Sequence, residues 1–118
     1  MHEDDLKSRT KTFALRIIKL YVALPKSVEA QVLGKQLLRS GTSVGAHYRE
    51  AHRARSNAEF ISKMEGALQE LDETVYWIEL LTSSGLLRRD ISLPVLTESE
   101  ELIRIFVACV KTAKERAQ

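Results

Sequence analysis

Cysteine is almost absent from this chain of 118 residues, which has one, at position 109. That excludes an intrachain disulfide and fits a reducing compartment. Proline is nearly as rare, with two residues, and glycine is limited to five, so little interrupts a helical backbone. Aromatic residues make up 6% of the chain, and none lies on its basic stripe, so stacking on single-stranded bases is not supported. No apolar run approaches the roughly 20 residues that span a bilayer, so no membrane role is expected. The opening MHEDDLKSRTK is acidic in its first five residues, densely charged throughout, and lacks an apolar h-region. No signal peptide and a cytoplasmic location are therefore expected. There is no internal repeat and no low-complexity stretch.

What remains is an ordinary globular composition, 44% hydrophobic and 29% charged. The length suits one compact domain over residues 1–118 with a core sufficient to fold without metal. The net charge of +2 hides an asymmetry. Residues 1–58 hold 11 Lys/Arg against 5 Asp/Glu, and residues 59–118 hold 7 against 11. Such a division signals an anion-binding face, or complementary faces that meet in an oligomer.

Four helical segments follow one another. In the first, from about Asp4 to Leu24, Leu6, Phe13, Ile17, Leu20 and Leu24 share one face and Pro25 stops the helix. Ser27 is a good N-cap for the second. At about 100° per residue, Leu33, Leu37, Val44, Tyr48 and Ala51 fall within about 60° of one another, and Lys35, Arg39, Thr42, Ala46, Arg49 and Arg53 fall opposite. Both stripes keep phase across Gly41 and Gly45, which a loop would have broken. Residues 27 to about 54 therefore read as one helix, and the two glycines, four apart, admit another helix closely. A phosphate-binding loop is excluded, because no Gly-x-x-x-x-Gly-Lys-Ser/Thr is present and no strand precedes the glycines.

Ser56 and Glu59 make a capping box ahead of a third helix, whose stripe is Phe60, Met64, Ala67, Leu68, Leu71, Val75 and Ile78. It ends at Ser83-Ser84-Gly85, with Gly85 as the cap. Tyr76, Trp77 and Leu80 fall off that stripe. They serve an oligomer interface, or they close the end of the bundle under the loop at 84–93. The fourth helix is expected to start between Ser92 and Thr97, with Pro94 in its first turn and a capping box of Thr97 and Glu100. Leu102, Phe106, Cys109 and Ala113 form its stripe. Four amphipathic helices with short connections predict an all-α, up-and-down antiparallel four-helix bundle.

The phrases LLRSGTSVGAHYREAHRARSNAEFISKM and ALQELDETVYWIELL resemble a bacterial family of four-helix bundles. It is named for open reading frames in the intervening sequences of 23S rRNA genes and is also labelled S23 ribosomal protein. The likeness extends from about Phe13 to Val110. It rests on Arg39, on Thr42-Ser43-Val44-Gly45-Ala46, on Glu50-Ala51, on Ser56 with Phe60, and on Glu73-Thr74 before Tyr76-Trp77. His47 departs from it, since members usually carry Asn there. The resemblance implies a left-handed bundle and a ring-like homo-oligomer, often a pentamer. It also implies kinship with accessory variability determinant proteins of diversity-generating retroelements, which bind nucleic acid and a reverse transcriptase.

The best functional candidates are Lys35, Arg39, Arg49 and Arg53, with Arg55 beyond them. The row spans about 27 Å between Lys35 and Arg53 and could follow the phosphates of structured RNA or duplex DNA. The competing expectation is a solvated face, or salt bridges to the acidic third helix. Arg39 and Glu50 could equally form a structural ion pair, within or between subunits. With no aromatic residue on the basic stripe, backbone and shape readout is expected rather than base stacking. His47, Glu50 and His52 do not match a di-metal bundle, which needs Glu-x-x-His on two helices. Cys109 reads as a small buried hydrophobe. No nucleophile context or carboxylate pair points to catalysis, and no cofactor is expected. A non-catalytic nucleic-acid adaptor and a protein-interaction scaffold both remain open.

Overall fold

A computed structural model describes residues 3–116. Residues 1–2 and 117–118, which the single-domain expectation also spans, lie outside the described residues. Four helices run in sequence: α1 (Glu3–Ala23), α2 (Val28–His52), α3 (Asn57–Ser83) and α4 (Arg89–Arg116). Each packs against its chain neighbour and α1 also meets α4, which makes an antiparallel bundle about 49 Å long. The α2–α3 seam is the most extensive and the α1–α4 seam the sparsest.

The local signals explain most of the boundaries. Ser27 accepts the Ala30 N–H at the start of α2, and Ser56 accepts the Glu59 N–H at the start of α3. Glu59 reaches back one residue further than a capping box requires and accepts the Arg55 N–H. Gly85 ends α3 at φ 81°, the conformation that places the Leu86 and Leu87 N–H groups on the Leu81 carbonyl. The start of α4 corrects the sequence expectation. The helix begins at Arg89, so Pro94 sits in its second turn and Thr97 donates to the Leu93 carbonyl inside the helix. Pro94 removes only the bond to the Asp90 carbonyl, at an exposed position. The added turn buries Ser92 and Val95 in phase with Ser99, Leu102 and Phe106.

The core is built from Phe13 and Ile17 of α1, Leu37 and Val44 of α2, Met64, Leu71 and Ile78 of α3, and Leu102 and Phe106 of α4, all fully buried. Burying each such side chain contributes about 1.5–3 kcal/mol. Two stripe assignments shift. In α3 the fully buried row includes Thr74 and continues to Leu81, while Phe60, Leu68 and Val75 are half-buried. In α4 the core position belongs to Val110, and Cys109 turns partly outward. A one-residue step rotates a helical side chain by about 100°, enough to move it off a stripe this narrow.

Glycine brings α1 and α2 together, as the spacing of Gly41 and Gly45 anticipates. A Cβ added at Gly41 would lie 2.6 Å from Ile17 Cγ1, and one at Gly45 would lie 3.2 Å from Thr10 Oγ1. The α2–α3 seam holds a buried polar contact. The Ser40 and Thr74 hydroxyls are 2.9 Å apart, and Thr74 also donates to the Glu70 carbonyl. Thr74→Val keeps the shape but leaves Ser40 with only a 3.3 Å bond to the Leu37 carbonyl. It is expected to cost about 1–2 kcal/mol, seen as a lower urea midpoint at unchanged slope. A midpoint at or above wild type would show that the pair adds nothing.

The thin α1–α4 seam is tied by charge. Arg9 grips Glu98 through two 2.8 Å bonds and reaches Glu101 at 2.6 Å. Asn57 donates to the Ala113 carbonyl at 2.7 Å, satisfying one of the carbonyls that the end of α4 leaves open. No helix among the described residues is long and apolar enough to cross a membrane.

Candidate nucleic-acid interface

Because α2 runs unbroken through Gly41 and Gly45, its cations line up on one exposed side of the bundle. Lys35, Arg39 and Arg53 are exposed, and Arg49 is half-buried. Arg55 follows in the exposed turn between α2 and α3. The five do not share one environment. Arg39 Nη1 lies 3.2 Å from Glu70 Oε1, and Nη2 bonds Glu73, so this guanidinium forks across the seam onto two carboxylates of α3. Lys35, Arg49, Arg53 and Arg55 have no carboxylate within ion-pair distance among the described residues. The stripe therefore divides into Lys35, a neutralised centre at Arg39, and an open group at the C-terminal end of α2.

The residues of the sequence motif act mainly in the α2–α3 seam. Arg39 and Glu73 meet directly. Glu50 does not pair with Arg39, about 16 Å away along the helix. It pairs with Lys63 at 2.8 Å, and that hydrogen bond holds its carboxyl below the usual carboxylate range. Ser43 donates to the Arg39 carbonyl at 2.7 Å, and Thr42 to the Leu38 carbonyl at 2.7 Å. His47 fills the space above Gly66, where a Cβ would come 3.0 Å from its Nδ1. Its Nε2 is 3.7 Å from Glu70 Oε2, and its buried Nδ1 has no hydrogen-bond partner among the described residues. Among the described residues, no group of three His, Cys, Asp or Glu is placed to hold a metal.

The off-stripe residues of α3 separate. Trp77 packs against the core with its Nε1 buried and without an acceptor among the described residues. Tyr76 is 54% exposed, its ring 5.2 Å from that of Trp77, and Leu80 is half-buried. Sequence reasoning passed over a second exposed apolar row on α1, formed by Leu15, Ile18 and Val22. Its three- and four-residue spacing was visible, but the stronger stripe of Phe13, Ile17 and Leu20 on the same helix masked it. The charge asymmetry resides mainly in α3, which carries six acidic residues against Lys63, whereas α4 is balanced with five of each sign.

Comparison with known proteins gives this geometry a family. The profile of the 23S rRNA-intervening sequence protein family matches residues 3–108. The chain belongs to that family. A crystallised protein of unknown function from the S23 ribosomal protein family of Bacteroides thetaiotaomicron is similar to it, at 39% identity. The match covers 94% of this chain and 99% of that one, with a TM-score of 0.88. No curated protein matches the chain. Membership in the 23S rRNA-intervening sequence family thus agrees with the four-helix architecture, and the motif residues Arg39 and Glu73 gain a concrete role as a clamp between α2 and α3.

Proposed function

We propose that the protein is a non-catalytic adaptor that binds structured RNA or duplex DNA through the basic side of α2. It would act as a ring-like homo-oligomer, a pentamer by resemblance, with Tyr76 and Leu80 in the contact between copies and Trp77 behind them. The supporting observation is the set of cations Lys35, Arg49, Arg53 and Arg55, along one helix and its turn, that have no ion-pair partner among the described residues. Phosphates contacted at intervals need cations in a line and no fixed base geometry. Repetition around a ring would add weak contacts by avidity.

The test is binding of a fluorescent structured RNA and of a DNA duplex across a salt series. Lys35, Arg39, Arg49 and Arg53 are changed to Gln in pairs, and the assembly mass of each variant is checked. Tight binding that falls steeply with salt, weakened in variants that still assemble, supports the adaptor. No binding at low salt, or variants that bind like wild type, sinks it. A scaffold for a partner protein is the second reading, favoured by the exposed apolar groups of Tyr76, Leu15, Ile18 and Val22. Partner capture indifferent to salt and lost on Tyr76→Ala would select it.

A further inference from the structure

The four helices leave the bundle open at the end where α2 turns into α3. A cavity of about 260 Å³ lies there, lined by Leu6 of α1, Tyr48 and His52 of α2, Phe60 and Met64 of α3, and Cys109 of α4. Three of these side chains are rings and two carry polarisable sulfur, a lining that suits a flat conjugated ring. Tyr48 is already held in a stack, its ring 5.9 Å from Phe106 and 6.4 Å from His52. The volume falls below the about 300–1,000 Å³ of most drug-sized ligand pockets, which favours one ring system over a whole cofactor.

The surroundings select among such rings. Arg53 and Arg55 line a surface depression on the other side of the α2–α3 turn. Arg116 lines a groove that shares Phe60 and Cys109 with the cavity. None of the three has a carboxylate within ion-pair distance among the described residues. Of the acids at this end, Glu50 is held by Lys63 and Glu65 by Lys114, Glu59 shares the depression with Arg53 and Arg55 and accepts the Arg55 N–H, and Asp5 and Glu115 are exposed. Arg53 lies in the chain between His52 and Ala54, two walls of the cavity, and Arg116 lines the adjoining groove, so a ring-lined cavity with cations beside it is complementary to an aromatic ring joined to phosphates.

We propose that this cavity takes a single unpaired nucleobase of a folded nucleic acid, with the flanking phosphates on Arg53, Arg55 and Arg116. The site rests on the nucleic-acid reading above and deepens it, from backbone contact alone to recognition of a bulged or looped nucleotide. A base that is already unpaired gives up no partner on entering a pocket, whereas one in a closed duplex must first be unstacked. The basic stripe itself carries no aromatic residue. It is the fold that brings Phe60 from α3 and Cys109 from α4 into one groove with Arg116.

The test uses one RNA hairpin in three forms: fully paired, with a single bulged purine, and with an abasic site at the bulge. The bulged form is expected to bind the wild-type protein about tenfold more tightly than the other two, the size of effect that base stacking on a side chain gives. Cys109 is the only cysteine, so N-ethylmaleimide places one substituent in the cavity. Burial raises the thiol pKa, so the reaction is run at alkaline pH. The alkylated protein should lose the preference and keep its affinity for the paired hairpin. The bulged hairpin should also slow the alkylation, and the paired one should not. Phe60→Ala should lose the preference too, with a thermal melt to confirm its fold. Equal affinity for the bulged and abasic forms overturns the proposal and leaves the phosphate contacts standing, as does a preference that survives alkylation. Absence of salt-sensitive binding to all three hairpins overturns the nucleic-acid reading and this proposal together.

Discussion

Gly41→Leu is expected to destabilise the bundle by about 3 kcal/mol, while Gly45→Ala stays within about 1 kcal/mol of wild type. Both substitutions gain up to about 1 kcal/mol of helix propensity. The difference lies in what the new side chain meets. At position 41 a Cβ would sit 2.6 Å from Ile17 Cγ1 and 2.8 Å from Ile17 Cγ2. Ile17 is fully buried and β-branched, so it has no free rotamer to retreat into. At position 45 the nearest atoms, on Thr10, stand at 3.2, 3.4 and 3.6 Å, which small shifts relieve. Urea denaturation of the two variants decides the matter. Adding Ile17→Ala to Gly41→Leu should cost less than the sum of the single changes, because the cavity left by one receives the other. Equal destabilisation at positions 41 and 45 would show that the α1–α2 approach does not depend on Ile17.

Arg49 and Arg53 changed together to Gln are expected to lower affinity for structured RNA about a hundredfold at low salt, and Lys35 with Arg39 about tenfold. The two pairs remove the same formal charge. They differ because Arg39 is already bound to Glu70 and Glu73, and a phosphate would have to displace those carboxylates. Arg49 and Arg53 have no such competitor among the described residues. Plotted against log salt, the log affinity should lose about two units of slope per contacting subunit in the first variant and about one in the second. Equal losses would mean that Arg39 leaves its carboxylates on binding. Slopes parallel to wild type would mean that none of these side chains touches phosphate.

The family and the architecture were legible before any coordinates. The periodicity of Leu37, Val44, Tyr48 and Ala51 fixed α2 as a helix through two glycines, and Ser27, Ser56 and Gly85 marked ends where the backbone indeed turns. These signals are local, reaching three or four residues along one chain, and local spacing is what a sequence displays. The start of α4 was not legible, because Pro94 suggests a first turn. Only packing of Ser92 and Val95 against the rest of the core rewards an earlier one. Cys109 and Val110 exchange places for a similar reason, since two neighbours both fit a broad apolar stripe until the facing helices choose.

The candidate site divides along the same line. Sequence by itself determined which residues are cationic, that they share one side of α2, and that the acidic residues lie in the second half of the chain. It could not show that Arg39 is held by Glu70 and Glu73, that Glu50 answers to Lys63 rather than to Arg39, or that Trp77 turns inward while Tyr76 stays out. Arg39 meets carboxylates 31 and 34 positions away in the chain, and Glu50 meets Lys63 on the next helix, so only the docking of α3 on α2 sets these pairs. The cavity at the α2–α3 end is of the same kind. Its walls come from all four helices, so it exists only once the bundle has closed along its length and stayed open at one end.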